Sequence, residues 1–114
     1  GSGYRAMNKL LARDAGFTAV FCMSDIMAVG AMRALTDAGL RVPQDISVLG
    51  FDGIELGQYA VPRLATVSQP QQEIANQSVA LLLGQIEKAA PPQTRVVSTG
   101  LLEGESVASV TSDI

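Results

Sequence analysis

Residues 17–53 read FTAVFCMSDIMAVGAMRALTDAGLRVPQDISVLGFDG, and this stretch decides the predicted fold. It opens with one apolar run, Phe17 to Met23, and closes with another, Ile46 to Phe51. Neither run alternates with polar residues, which is typical of strands covered on both faces. The helical segment between them, from Ile26 to a capping glycine at Gly39, is long enough for the crossover that parallel pairing requires. The stretch therefore predicts a βαβ unit and an α/β fold with a parallel, Rossmann-like sheet.

The residues on either side predict shorter elements from periodicity and capping signals. The segment at 52–63 is expected to be irregular, because Gly53, Gly57 and Pro62 interrupt it. The other predicted elements are a helix over 4–14 closed by Gly16, a short strand over 64–69, a helix from Pro70 to the stop at Pro91-Pro92, and two strand-like pieces at 94–98 and 100–104, antiparallel or at a sheet edge.

Composition limits the chemistry that this chain can perform. Its 114 residues are 47% hydrophobic and 17% charged, which indicates one globular domain too small to hold both lobes of a two-lobed binding protein. With no His and a single cysteine, Cys22, the chain lacks the usual zinc ligands, an internal disulfide and any Ser-His-Asp or Cys-His arrangement. It also lacks a phosphate-binding glycine-rich loop. We therefore predict no enzymatic activity, no metal and no cofactor.

Charge and hydropathy limit the partners. Lys and Arg number 8 against 11 Asp and Glu, giving a net charge of −3, and the basic residues are scattered. This segment is therefore not expected to bind DNA itself. No apolar run approaches the roughly 20 residues needed to cross a bilayer, and the first residues show no charged-then-apolar signal pattern. We predict no membrane partner.

Polar residues follow both predicted strands of the βαβ unit, where the carboxyl ends of parallel strands form ligand sites. Ser24 and Asp25 follow the first strand and Asp52 follows the second. For Asp25 the alternative is a helix cap, a role that contributes about 0.5–2 kcal/mol and is favoured over ligand contact. For Asp52 the alternative is a turn residue before Gly53, although its position favours ligand binding. A carboxylate there would accept hydrogen bonds from sugar hydroxyls or nucleobase N–H groups.

The predicted second helix is apolar nearly all round, so it must be covered on more than one side. Two explanations remain open: a central helix covered by its own domain, or a subunit interface. Its apolar residues are Ile26, Met27, Val29, Ala31, Met32, Ala34, Leu35 and Ala38.

The stretch AVFCMSDIMAVGAMRALTDAGLRVPQDISVLGFDGIELGQY, followed by PRLATVSQP, resembles the C-terminal part of lactose-repressor (LacI/GalR) family regulators. The similarity runs from about Tyr4 to Val107, and the order and spacing of its pieces are what make it specific. It implies a two-lobed, periplasmic-binding-protein-like effector domain behind an N-terminal helix-turn-helix, with residues 1–114 as the C-terminal part. Such a part, separated from the rest, is expected to expose apolar surface.

The resemblance also implies a function. Regulators of this kind are cytoplasmic repressors that assemble as homodimers or higher oligomers and bind operator DNA through the N-terminal domain. The implied partner of this segment is a small-molecule effector: a sugar, a nucleoside or a purine. The alternative that shares the fold is a periplasmic sugar-binding protein of a transport system.

Individual positions match the family pattern. Asp52 matches a position that contacts effector, and Ser24 matches one that is commonly Asn. Gln71 lies where some members place an aromatic residue against the ligand. The second helix around Ile26 and Val29, and the loop near Tyr59, match dimer-interface regions, a further expectation of the resemblance.

Overall fold

The computed structural model describes residues 1–13 and 16–110 and confirms the predicted α/β class. The helices are α1 (Ser2–Ala12), α2 (Asp25–Asp37), α3 (Glu55–Gln58) and α4 (Gln71–Glu87). The strands are β1 (Ala19–Phe21), β2 (Ser47–Asp52), β3 (Ala65–Ser68) and β4 (Gly100–Leu102). The last residue of the predicted first helix, Asp14, lies outside the described residues.

The βαβ unit that the sequence predicts is present. β1 and β2 pair in parallel with α2 between them in the chain, and β3 pairs in parallel on the other side of β2. The strand order is β1-β2-β3-β4, so β4 lies at an edge, as one of the two predicted alternatives had it. Val20 lies opposite Val48, and Asp52 lies opposite Ser68. The carboxyl ends of β1, β2 and β3 therefore meet at one edge of the sheet.

The chain divides into two compact units. One contains Gly1–Ser68 together with the residues from Leu101 onward, and it includes the sheet with α1 to α3. The other is Gln69–Gly100 and includes α4, which has no buried residue. The large apolar side chains of α4 that are exposed are Ile74, Val79, Leu82, Leu83 and Ile86.

Helices α1 and α2 pack closely on one another, and α2 packs on β2. A Cβ atom on Gly3 would collide with the backbone of Met27, so the two helices cross at a distance that only glycine permits at this point. Met7 of α1 and Leu35 of α2 are buried, as is Val48 of β2. This cluster is the core of the first unit.

The opposite face of the sheet is open, contrary to the expectation that both apolar strands are covered on both faces. Phe21 is 56% exposed, and its ring packs in a T-shaped arrangement with that of Phe51, with the ring centroids 6.5 Å apart. A hollow of about 720 Å³ lies on this face, lined by Ala19, Phe21, Leu49 and Leu101 among others. An apolar run indicates that a strand is to be covered, but not whether the same chain supplies the cover.

Two further predictions were wrong. The TRVVS piece at 94–98 forms no strand, because β-branched residues favour a strand only where a neighbouring strand pairs with them. The segment 52–63, expected to be irregular, contains the short helix α3. Over the described residues, no helix is both long and apolar enough to cross a membrane.

Candidate functional site

A buried carboxylate organises the carboxyl ends of the strands. Asp25 is 0% exposed, and its Oδ2 accepts hydrogen bonds from the backbone N–H groups of Gly53 (2.9 Å) and Ile54 (2.8 Å). Its Oδ1 accepts a hydrogen bond from the hydroxyl of Thr66 at 2.6 Å. Asp25 thus links the start of α2 to the turn that follows Asp52 and to β3. Both oxygens are occupied by the protein's own donors.

The helix cap at this point is Ser24 and not Asp25. Ser24 has an extended backbone, with φ −152° and ψ 157°, and its Oγ accepts a hydrogen bond from the N–H of Met27 at 3.2 Å. Asp25 is the first residue of α2, where a negative charge is favoured by the helix dipole. The single-residue offset gives the two polar residues different roles: Ser24 satisfies the helix terminus, and Asp25 reaches across to the neighbouring strands.

Two glycines make room for this arrangement. A Cβ atom on Gly50 would collide with Oδ1 of Asp25, so the carboxylate occupies the space that a side chain on β2 would otherwise fill. Gly53 has φ +82°, and a Cβ atom there would lie 2.9 Å from the Cβ of Ser68. The turn after β2 therefore requires glycine for two reasons, its backbone conformation and its contact with β3.

Asp52 is the last residue of β2 and has an unusual backbone conformation. Its φ is 128°, a region that L-residues rarely adopt and that typically costs about 1–3 kcal/mol. It is half-buried and lies opposite Ser68 in the register of β2 and β3. Strain of this kind persists where the surroundings over-determine the backbone, and it concentrates at ligand sites.

The structure brings together three of the predicted ligand residues and leaves one in the other unit. Ser24 and Asp25 follow β1, and the hydrogen bonds of Asp25 join them to the turn at Asp52. The side-by-side, parallel arrangement of β1 and β2, on which that prediction depended, is confirmed. Gln71 is the exposed first residue of α4, in the second unit. That Ser24, Asp52 and Gln71 contact an effector stays a prediction, whereas the buried Asp25 offers no surface for such a contact.

The predicted interface residues differ in exposure. Ile26 is 68% exposed, Val29 is half-buried against the core, and Tyr59 is 75% exposed with its hydroxyl donating to Oε1 of Glu55 at 3.2 Å. The sheet and α1 account for most of the apolar surface of α2, so cover by its own domain explains much of the helix. Ile26 and Tyr59 remain exposed apolar side chains, and their place in a subunit interface stays a prediction.

One cysteine, Cys22, follows β1 beside these polar residues. Burial raises the pKa of the Cys22 thiol, so the cysteine near the end of β1 is held as a thiol and is a poor nucleophile. Among the described residues, no group of three His, Cys, Asp or Glu side chains is placed to hold a metal ion. The Asp25 oxygens, the N–H groups of Gly53 and Ile54 and the Thr66 hydroxyl are bonded to one another, so the carboxylate at the rim that suits recognition of a polar small molecule is that of Asp52.

Two participants were missed in the sequence. Thr66 donates to Asp25 from the middle of an apolar strand, and Gly50 lies in the middle of another. Both carry a recognisable signal. A buried polar residue needs a hydrogen-bond partner, and a glycine inside a strand often marks a close approach of another group.

Comparisons with known proteins agree with this geometry. Residues 1–107 match the periplasmic binding protein-like domain family. The HTH-type transcriptional repressor PurR of Yersinia enterocolitica is 46% identical over 108 residues, covering 94% of this chain and 32% of that protein. The chain therefore spans about a third of the length of this curated relative.

Solved structures show the same fold. A transcriptional regulator CelR in complex with cellobiose is 36% identical with a TM-score of 0.88, over 92% of this chain and 32% of that one. A lac repressor dimer bound to operator and the anti-inducer ONPF is 32% identical with a TM-score of 0.88, over 95% of this chain and 38% of that one. The resemblance to lactose-repressor family regulators is confirmed by these matches.

Proposed function

This chain belongs to the periplasmic binding protein-like domain family, and we propose that it is the C-terminal part of the effector-binding region of a DNA-binding transcriptional repressor. The observation that carries the proposal is the 46% identity to the repressor PurR along 94% of the chain. The rest of the regulator, including its DNA-binding domain, would be supplied by sequence outside these 114 residues.

The proposed mechanism is a change in equilibrium between two arrangements of a two-lobed protein. An effector that binds one arrangement more tightly increases its population and thereby alters the spacing of two DNA-binding heads. Effector and operator affinities are then linked reciprocally. CelR was solved with cellobiose, and a lac repressor with operator and ONPF, which supports a small-molecule effector and operator DNA as the two partners.

Within this region we propose that Asp52 contacts the effector, with Ser24 contributing from the N-cap of α2; an effector contact of Gln71, in the second unit, is proposed separately. The carboxyl-end position of Asp52 and its strained backbone support this role. The effector class is a sugar, a nucleoside or a purine, because each offers hydroxyl or N–H donors to a carboxylate. Ile26, Val29 and Tyr59 are proposed to lie in a homodimer interface.

The alternative, a periplasmic sugar-binding protein of a transporter, shares this domain family, but the similarity to PurR favours the repressor. PurR, CelR and the lac repressor are regulators, which supports a binding role with no enzymatic activity. A repressor acts on DNA, so the proposed location is the cytoplasm.

The test uses the full-length protein and a DNA fragment that it selects from a random-sequence pool. Fluorescence anisotropy would measure operator affinity alone and with cellobiose, lactose, adenosine or guanine added. We expect one of these classes to change the operator affinity by about 5- to 150-fold, the usual range of allosteric coupling. A full-length protein that selects no DNA sequence would contradict the proposal.

A further inference from the structure

We infer that Asp25 is a positioning residue for the effector site, which holds the Asp52–Gly53 turn in place without touching the effector. The inference rests on the function proposed above, in which Asp52 is the contact. The buried network around Asp25 carries it. A side chain that is 0% exposed and whose two oxygens already accept from protein donors has no surface to offer a ligand.

The first part of the argument concerns the turn. Oδ2 of Asp25 accepts from two successive N–H groups, those of Gly53 and Ile54, which immediately follow Asp52. Two hydrogen bonds to consecutive peptide groups fix the orientation of both peptide planes, and so the backbone on the carboxyl side of Asp52. Asp52 itself has φ 128°, and such a backbone relaxes unless its neighbours hold it. Asp25 is one of the neighbours that do so.

The second part concerns the adjacent strand. Oδ1 of Asp25 accepts from the hydroxyl of Thr66, two residues before Ser68, and Ser68 lies opposite Asp52. One carboxylate therefore ties together the ends of both strands at the rim. Replacing this carboxylate is expected to change the direction in which Asp52 is presented, and thereby the effector affinity, while the fold persists.

The experiment is a double-mutant cycle on effector binding by the full-length protein. Asp25→Asn keeps the shape of the side chain and removes its charge, and Asp52→Ala removes the proposed contact. Isothermal titration with guanine and, in parallel, with cellobiose would give the dissociation constants. We expect Asp25→Asn to weaken binding of one probe about five- to tenfold in the wild-type background and less than about twofold beside Asp52→Ala, because coupled residues are not additive.

Two controls separate positioning from general destabilisation. Asp37→Asn makes the same chemical change at the exposed, C-terminal end of α2 and should leave the probe affinity unchanged. Thr66→Ser keeps the hydroxyl and should bind nearly as the wild type, whereas Thr66→Val removes it and should weaken binding in the same direction as Asp25→Asn. If Asp25→Asn does not fold, the Thr66 pair beside Asp52→Ala completes the same cycle.

The outcomes distinguish the two proposals. Suppose that Asp52→Ala weakens probe binding, but Asp25→Asn either has no effect or changes the dissociation constant by the same factor with and without Asp52→Ala. The positioning role is then overturned, and the proposed site stands. If neither probe binds, or Asp52→Ala changes nothing, the proposed effector contact fails.

Urea unfolding without a probe then decides the positioning role. In the wild-type background, Asp52→Gly should raise the free energy of unfolding, because glycine adopts φ 128° without strain. In the Asp25→Asn background, this increase in unfolding free energy should be smaller by about half or more. An equal gain in both backgrounds would overturn the inference.

Discussion

Gly53 lies so close to Ser68 that a Cβ atom on Gly53 would be 2.9 Å from the Cβ of Ser68. The contact joins the turn after β2 to the end of β3, directly beside Asp52. Together with the hydrogen bonds of Asp25, it leaves the rim of the sheet little freedom to rearrange.

Gly53→Ala should destabilise the full-length protein for two separable reasons. The methyl group would press on Ser68, and alanine would have to adopt φ +82°. Gly39→Ala is a matched control, because Gly39 has φ +78° and open space around it. We expect Gly39→Ala to lower the free energy of unfolding by about 1 kcal/mol and Gly53→Ala by about 2–4 kcal/mol, measured by urea titration. Equal losses would show that the contact with Ser68 is relieved without cost.

Ser24→Ala should remove the N-cap of α2, leaving the N–H of Met27 without its acceptor. The expected loss in unfolding free energy is about 0.5–2 kcal/mol. Ser24→Asn should restore most of that stability, because asparagine also caps helices well. Thermal unfolding of the three proteins would measure both effects. A Ser24→Asn protein no more stable than Ser24→Ala would argue against the cap.

Asp52→Ala should weaken the effector response by about tenfold or more while leaving operator affinity without effector intact. The reason is that Asp52 lies at the rim and not in the core, so its loss removes a proposed contact but not the fold. Operator titrations with and without guanine or cellobiose provide the measurement. An unchanged effector titration would remove Asp52 from the pocket.

Val29→Glu should shift the full-length protein toward monomers, because a charge buried in an interface without a partner is strongly destabilising, by about 3–5 kcal/mol. Lys88→Glu is the control outside α2, since Lys88 is exposed and follows α4. Sedimentation velocity would report both. A dimer that survives Val29→Glu would count against an interface at this face of α2.

The βαβ unit could be predicted because its signals are local. Two apolar runs, a capped helix of sufficient length and a glycine after the helix fix the order of elements and the parallel pairing of β1 with β2. The sequence does not show what would cover the sheet face opposite α2. Phe21 is a large aromatic residue in an apolar strand, a type of residue that is usually buried, but it is exposed in this chain.

The site was predictable in position but not in detail. The carboxyl ends of the strands located Ser24, Asp25 and Asp52 at one rim, because topology alone requires it. The roles of Ser24 and Asp25 depend on the residue at which α2 begins. The residue before the first helical position caps the helix, and the first helical residue reaches across to β3. The partner of Asp25 on β3, Thr66, is 41 residues away in sequence, and no local pattern links the two.

The uncovered aromatic face of the sheet has a consequence for the fate of the segment in a cell. Aliphatic and aromatic groups left in contact with water are what chaperones and quality-control proteases capture. A translation product limited to these residues is therefore expected to be cleared or to aggregate before it accumulates, so that its steady-state abundance would be low.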